Sequence, residues 1–179
     1  MSTLFGVSFA TRAVGCAVGA DGCILKTSDG GATWRRQRAG TVATLTAVDF
    51  VSASRGWAVG ASISAATQES VPVVLRTTDG GRTWTPQTLP QAAYLTALDF
   101  VTPDAGWVAA DDGAVFMTTD GGATWVVENT GVADGLSGLV AASPTGVWAV
   151  SRAGGIVRRA APDGALSSPR ASAPRRRAR

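Results

Sequence analysis

One octapeptide occurs three times in this chain, and this repetition constrains the fold more than any other feature of the sequence. Its copies, TSDGGATW, TTDGGRTW and TTDGGATW, occupy residues 27–34, 77–84 and 118–125. A second segment recurs in the same frame, as LFGVSFA, LTAVDFV, LTALDFV and LSGLVAA at residues 4–10, 45–51, 95–101 and 136–142. The first and last of these start 41 residues from their neighbours. The sequence therefore predicts four copies of one unit of about 41 residues.

The second unit is longer than the others. Cys16, Trp57, Trp107 and Trp148 hold equivalent positions, and their separations are 41, 50 and 41 residues. The nine additional residues fall near residues 61–69, which predicts a loop inserted between two strands of that unit.

Each unit has the pattern of four short antiparallel strands. Residues 45–51 alternate with period two, as expected for a strand buried mainly on one face. Asp-Gly pairs at residues 21–22 and 112–113 lie between apolar runs, which indicates hairpins. Four such strands in about 40–45 residues are typical of a propeller blade. We therefore predict an all-β propeller domain at residues 1–161, with blades at approximately 4–44, 45–94, 95–135 and a degenerate 136–161.

The charge of the chain is unevenly placed. Residues 1–161 hold 11 basic and 12 acidic side chains, whereas residues 162–179 hold five Arg and one Asp. The second segment is also rich in Pro, Ser and Ala, so we predict a disordered Arg-rich tail. A solvated end explains this tail without a nucleic-acid partner. No stretch of the sequence approaches the ~18 apolar residues of a membrane span.

The octapeptide has the composition of a structural turn. Its Asp can accept backbone hydrogen bonds, the Gly-Gly pair permits positive φ, the Thr can bond back across the turn, and the Trp can pack beneath it. All three copies recur at equivalent places, which favours a structural task over a catalytic one. The residues given this task are Asp29, Gly31, Thr33, Trp34, Asp79, Gly81, Thr83, Trp84, Asp120, Gly122, Thr124 and Trp125.

Candidate catalytic groups are scarce. The chain has no His, which excludes His-based triads and most zinc sites. Asp49 and Asp99 are equivalent residues on inner strands, where we expect them to line a central channel as polar side chains. Tyr94 is the sole tyrosine and is expected to be structural. The sequence therefore predicts no catalytic residue, no metal site and no cofactor.

The two cysteines are close in sequence but poorly placed for a disulfide. On a hairpin turning at residues 21–22, Cys16 is expected opposite Thr27 and Cys23 opposite Ala20, a stagger of roughly 10 Å. A disulfide needs Cα atoms within roughly 7 Å. We therefore expect two free, half-buried thiols, which leave the redox compartment open.

The octapeptide resembles the Asp-box, also called the bacterial neuraminidase repeat. The full unit, with an apolar run ending in Phe, a Gly-Trp-Ala-Val-Gly strand and then TTDGGxTW, resembles the photosystem II assembly and stability factor family over roughly residues 4–160. This resemblance implies a seven-bladed propeller, an extracytoplasmic location in the periplasm, thylakoid lumen or outside the cell, and a photosystem II subunit as partner in an oxygenic phototroph. The sequence departs from the family pattern at Cys16, where Trp is expected, and at residues 159–166, where the Asp-box is lost.

About four blades cannot close a seven-bladed ring. An open, incomplete propeller is the preferred expectation, with self-association or partner capture through its open edges. The alternatives are a fragment of a longer reading frame, a ring completed by another chain, and a closed four-bladed ring.

Two function classes remain from the sequence. The first is a non-catalytic scaffold that binds a partner protein or peptide, and the second is a carbohydrate-binding or glycoside-hydrolysing propeller of the neuraminidase-repeat kind. The scarcity of His, Tyr and Glu favours the first. The candidate contact residues are Arg35, Arg36, Arg38, Arg55 and Arg82, together with the inserted loop at 61–69.

Overall fold

The computed structural model describes residues 2–91, 94–128 and 130–159, and within these ranges every regular element is a β-strand. The first sheet contains β1 (Leu4–Phe9), β2 (Gly15–Gly19), β3 (Cys23–Thr27) and β4 (Arg35–Gln37). The second contains β5 (Thr44–Phe50), β6 (Gly56–Ile63), β7 (Ser70–Thr77) and β8 (Thr85–Gln87). The third contains β9 (Leu95–Phe100), β10 (Gly106–Ala110), β11 (Val115–Thr118) and β12 (Val126–Glu128). The fourth contains β13 (Leu136–Ser143), β14 (Gly146–Ser151) and β15 (Ile156–Arg158).

Each sheet is an antiparallel meander whose strands pair in chain order. The β2–β3 hairpin turns at Asp21 and Gly22, whose φ angles are 57° and 60°. Positive φ at both central residues is the geometry that the Asp-Gly pair predicts for a tight hairpin. The predicted loop at 61–69 is only partly a loop: residues 61–63 extend β6 and pair with 70–72 of β7, which leaves 64–69 as the loop between the two strands.

Three apolar clusters join consecutive sheets. Cys16, Val18 and Ile24 of the first sheet pack against the second sheet, where they meet residues such as Phe50 and Leu75. The second and third sheets share a cluster that contains Trp57 and Phe100, and the third and fourth sheets share one that contains Trp107 and Val147. The core is therefore divided into layers between sheets, as expected for stacked propeller blades.

These observations confirm the prediction of an all-β propeller with about four blades, incomplete relative to a seven-bladed ring. The predicted Arg-rich tail at 162–179 lies outside the described residues.

The predicted register of the first hairpin is wrong by one residue. Cys16 lies opposite Lys26 and Cys23 lies opposite Gly19, because three residues, 20–22, separate the paired ends of the two strands instead of the expected two. Both thiols are free, and both are buried rather than half-buried. Burial raises the pKa of Cys16 to about 12, although the nearby Lys26 charge opposes the shift. Cys16 is therefore a packed thiol of low reactivity.

Candidate binding surface

The three Asp-box turns are hydrogen-bonded in the same way. In the first, Asp29 Oδ1 accepts from the Thr33 N–H at 2.9 Å, and Asp29 Oδ2 accepts from the Thr33 hydroxyl at 2.6 Å. The Thr27 hydroxyl donates to Asp29 Oδ1 at 2.7 Å and accepts from the Gly31 N–H at 2.9 Å. The turns at Asp79 and Asp120 repeat this pattern. Each carboxylate is thus occupied by groups of its own turn.

These hydrogen bonds favour the ionised carboxylate. The hydroxyl and N–H donors of Thr33, Thr83 and Thr124 lower the pKa of Asp29, Asp79 and Asp120 to about 2. A carboxylate held permanently ionised is poorly suited to general acid or base chemistry near neutral pH.

The Trp of each Asp-box turn packs on an aromatic ring of the inner strand. The ring pairs Phe9–Trp34, Phe50–Trp84 and Phe100–Trp125 are edge-on, with centroids 6.0, 6.0 and 6.1 Å apart. This contact ties the outer turn to the innermost strand of the same sheet.

Asp49 and Asp99 connect neighbouring sheets. Asp49 Oδ2 accepts from the Phe100 N–H at 3.0 Å, and Asp99 Oδ2 accepts from the Ala141 N–H at 2.7 Å. Asp49 Oδ1 also accepts from the Ser8 hydroxyl at 3.2 Å. Each carboxylate thus bonds to the backbone of the next sheet, a role that the expected polar channel lining did not include.

The electrostatic setting of Asp99 differs from that of the Asp-box carboxylates. Burial raises the pKa of Asp99 above its ordinary value, with the Ala141 N–H opposing the shift and the Asp49 charge adding to it. The two acids therefore form a half-buried structural pair on the inner strands.

The five candidate arginines do not form one patch. Arg55 lies in the turn between β5 and β6, and Arg82 lies in the Asp-box turn between β7 and β8. In an antiparallel meander both of these turns are at the same end of the sheet. Arg38 follows β4 and therefore lies at the opposite end, while Arg35 and Arg36 belong to β4 itself. All five side chains are exposed.

Arg36 and Arg38 line an open groove of about 860 Å³ beside the loop that joins the first and second sheets. Asp21, Thr41 and Val42 complete this part of the lining. Val42 is 85% exposed, so the groove combines two cations and the Asp21 carboxylate with an uncovered apolar side chain.

This groove continues along the second sheet. An adjoining depression of about 260 Å³ shares Gly40 and Thr41 with it, and also includes Pro72 and Gln87. A third depression of about 430 Å³ shares Pro72 and Gln87 and reaches the inserted loop at Glu69. We call these three depressions the loop track. It is basic at the Arg36 end and carries Glu69 at the other.

The inserted loop has defined backbone contacts. The Ser64 N–H donates to the Glu69 carbonyl and the Gln68 N–H donates to the Ser64 carbonyl, both at 2.9 Å. The unit spacing indicated this loop, and the arginines were candidates because they follow the first Asp-box or lie on turns. It did not indicate that Arg36, Arg38 and the loop lie along one track, because no motif joins them.

Sequence reasoning missed the role of Lys26. The Trp57 indole N–H donates to the Gly121 carbonyl of the next Asp-box turn at 2.9 Å. In the first sheet, where Cys16 replaces this Trp, the ammonium of Lys26 donates to the equivalent Gly80 carbonyl. The sequence carried no signal for this contact, because the predicted register placed Cys16 opposite Thr27 rather than Lys26.

The fourth sheet lacks an Asp-box turn and is joined to the third differently. Arg159 pairs with Glu128 at 2.9 Å and lies over the Trp107 ring at 5.2 Å. Burial raises the pKa of Glu128, and the Arg159 charge opposes that shift.

Among the described residues, no helix is long and apolar enough to cross a membrane. The same part of the chain contains no group of three or more His, Cys, Asp or Glu side chains placed to hold a metal ion.

Comparison with known proteins identifies relatives of the whole repeat array. The fold is similar to "YCF48 bound to D1 peptide", with 22% identity, 97% of this chain and 55% of that chain covered, and a TM-score of 0.72. It is similar to YCF48 from Cyanidioschyzon merolae, with 21% identity, coverage of 97% and 58%, and a TM-score of 0.72. A GH74 enzyme of Niastella koreensis shares 14% identity, coverage of 93% and 29%, and a TM-score of 0.73.

The two YCF48 structures are longer than this chain, which spans 55% and 58% of their lengths. No curated protein sequence gives a significant match. The family model described as photosynthesis system II assembly factor YCF48 matches residues 1–85 and 37–126. Because these matches cover more than half of the sequence, the chain belongs to the YCF48 photosystem II assembly factor family.

Proposed function

We propose that this chain is a non-catalytic scaffold that binds an extended segment of a partner protein along the loop track. The observation that carries the proposal is the position of Arg36 and Arg38 at one end of a track that continues to the inserted loop. An acidic group of the partner, a side chain or a chain-terminal carboxylate, pairs with the two arginines. The apolar and amide-bearing parts of the track receive the rest of the segment.

Family membership suggests the class of partner. A structurally similar YCF48 is described as bound to a D1 peptide. By analogy, the partner of this chain is a photosystem II subunit segment in a phototrophic host, and the chain acts outside the cytoplasm.

The non-catalytic part of the proposal is supported by the hydrogen bonding of the acids. The Asp-box carboxylates bond within their turns, and Asp49 and Asp99 bond to neighbouring sheets. A glycosidase would require a free acid paired with a second carboxylate across a substrate site. Hydrolysis of a fluorogenic sialoside or glucoside that is abolished by Asp99→Asn would contradict this part.

The test uses fluorescein-labelled overlapping peptides that cover the D1 sequence, with binding measured by fluorescence anisotropy. One peptide region is expected to bind, and the double variant Arg36→Ala/Arg38→Ala is expected to weaken that binding at least about tenfold, which corresponds to about 1.4 kcal/mol. Added salt should weaken binding in the same direction.

A matched control is available in the chain. The variant Arg55→Ala/Arg82→Ala removes the same charge from exposed positions at the opposite end of the second sheet. It should leave the affinity within about twofold if the contact is local rather than a response to net charge. Failure of every D1 peptide to bind, or an equal loss in both variants, would refute the proposed site.

A further inference from the structure

The outer face of the first sheet exposes side chains whose equivalents are buried in the second and third sheets. Val7 is 61% exposed and Phe9 is 46% exposed. The equivalent residues are Val48, Leu98, Phe50 and Phe100, with exposures of 7%, 8%, 7% and 5%. An apolar depression of about 480 Å³ lies on this face, lined by Leu4, Val7 and Trp34 among others. The face has the composition of an internal junction.

The outer face of the fourth sheet shows the same contrast. Val150 and Ile156 are 45% and 48% exposed. Their equivalents in the second and third sheets are Val59, Ala109, Val74 and Val115, which are at most 1% exposed. Trp148 holds the position of Trp57 and is half-buried. This face corresponds to the other half of an internal junction.

The internal junction between the second and third sheets shows how the two halves fit. The Trp57 ring stacks on Phe100 with centroids 3.6 Å apart and an interplanar angle of 5°. Its indole N–H donates to the carbonyl of Gly121, and the Arg76 side chain lies against the same glycine. An aromatic ring, an indole donor and a cation on one sheet thus meet a Phe and an Asp-box turn on the next.

The fourth and first sheets carry the same two sets of groups. The fourth has Trp148 with Arg158, whose guanidinium lies 4.8 Å from the centre of the Trp148 ring. The first has Phe9 and the Asp-box turn at Gly30. Both faces are uncovered in the single chain, so the two halves can meet when they come from different copies.

We propose that the fourth sheet of one copy packs on the first sheet of a second copy, and that two such junctions close a ring of eight sheets. In this dimer Trp148 stacks on Phe9 of the other copy and donates to the Gly30 carbonyl, while Arg158 lies beside the Asp29 turn. The contact is head-to-tail, so it pairs two different faces. The second copy is the occupant because this chain supplies both complementary faces of a junction that it already builds internally.

The first experiment measures the mass of the full chain by sedimentation velocity over a range of concentrations. The wild type is expected to form a dimer. Val7→Lys places a charge on the first sheet's outer face and is expected to weaken dimerisation at least about tenfold. Val126→Lys is the matched control, because Val126 is 56% exposed on the outermost strand of the third sheet. A monomer in the wild type, or equal effects of the two variants, would overturn the proposal.

A mixing experiment distinguishes a head-to-tail dimer from a face-to-face one. Val7→Lys and Ile156→Lys each damage one face, so each variant alone is expected to be monomeric. Mixed together, they retain one intact pair of faces, Trp148 on one variant and Phe9 on the other, and should form a heterodimer. If Ile156→Lys alone remains dimeric, or if the mixture stays monomeric, the head-to-tail arrangement is wrong.

A third variant should strengthen the dimer. Ser8, Asp49 and Asp99 each accept a hydrogen bond from a backbone N–H of the next sheet, but the fourth sheet has Val140 at this position. Val140→Ser restores a neutral acceptor facing Phe9 of the other copy and is expected to lower the dimer dissociation constant severalfold. Non-specific association of apolar surfaces would instead weaken when Val140, which is 55% exposed, becomes polar.

Discussion

The hydrogen bond from Trp57 to the next Asp-box turn can be isolated by comparison with Trp107. Both indoles are fully buried between consecutive sheets, and each lies near a guanidinium, at 6.0 Å for Trp57 and 5.2 Å for Trp107. Trp57 Nε1 donates to the Gly121 carbonyl at 2.9 Å. Trp107 Nε1 has no hydrogen-bond partner among the described residues. The two sites therefore differ in this buried hydrogen bond and in the stacking of Trp57 on Phe100, whose equivalent in the fourth sheet is Ala141.

Replacement of each Trp by Phe removes similar volume but has unequal polar consequences. Trp57→Phe leaves the Gly121 carbonyl without its donor, and Gly121 is itself buried. A buried polar group left unpaired costs about 1–3 kcal/mol. Trp107→Phe removes an indole N–H that has no hydrogen-bond partner among the described residues, so its cost is mainly one of packing. We expect Trp57→Phe to lower the free energy of unfolding by about 1–3 kcal/mol more than Trp107→Phe.

The measurement is urea unfolding followed by far-UV circular dichroism, because both substitutions change the tryptophan fluorescence. An analogue of Trp57 with sulfur in place of the indole N–H keeps the ring size and stacking, and should reproduce the polar part of the loss. Equal destabilisation by Trp57→Phe and Trp107→Phe would refute the idea that the indole donor stabilises the junction.

Three other predictions follow from the electrostatics and the substituted first junction. Because the pKa values of the Asp-box carboxylates are lowered to about 2, these carboxylates stabilise the fold fully above the unfolded pKa near 4, and this stabilisation is lost as the pH falls towards 2. In a plot of the unfolding midpoint against pH, Asp79→Asn should therefore show a weaker decrease at acid pH than the wild type. The pKa of Asp99 is raised, so its ionisation opposes folding as the pH rises. Asp99→Asn, whose amide oxygen still accepts from Ala141, should raise the unfolding midpoint at pH 7 but not at pH 3. Stabilisation at pH 3 and not at pH 7 would contradict a raised pKa for Asp99. Lys26→Met removes the donor to the Gly80 carbonyl and should lower the free energy of unfolding by about 1–2 kcal/mol. Cys16→Trp added to this variant should recover part of the loss, and a double-mutant cycle would detect or exclude this coupling.

The sequence predicted the fold well because the information for each unit is local. The octapeptide contains both the acceptor and the donors of its turn within eight residues, and the period-two pattern places Phe50 and Val48 on a buried strand. The unit spacing also located the insertion. None of these inferences required knowledge of a neighbouring sheet.

The contacts between units could not be predicted in the same way. Asp49 bonds to Phe100, which is 51 residues away, and Lys26 bonds to Gly80, which is 54 residues away. A repeat pattern says that such residues are equivalent, but it does not say which face of one sheet meets which face of the next. For the same reason the five candidate arginines were treated as one set, although the meander places Arg55 and Arg82 at the end opposite Arg38.

The repeated residues mostly take part in turns and in contacts between sheets. Groups that recur between units, such as the Asp-box carboxylates of three units and the inner-strand acids of two, already have partners within the chain. Residues that differ between units are free of that requirement: Arg36 is replaced by Pro86 in the second unit and by Val127 in the third, and the inserted loop occurs in the second unit. We therefore expect specific recognition of a partner to depend on the departures from the repeat, two of which meet at the loop track.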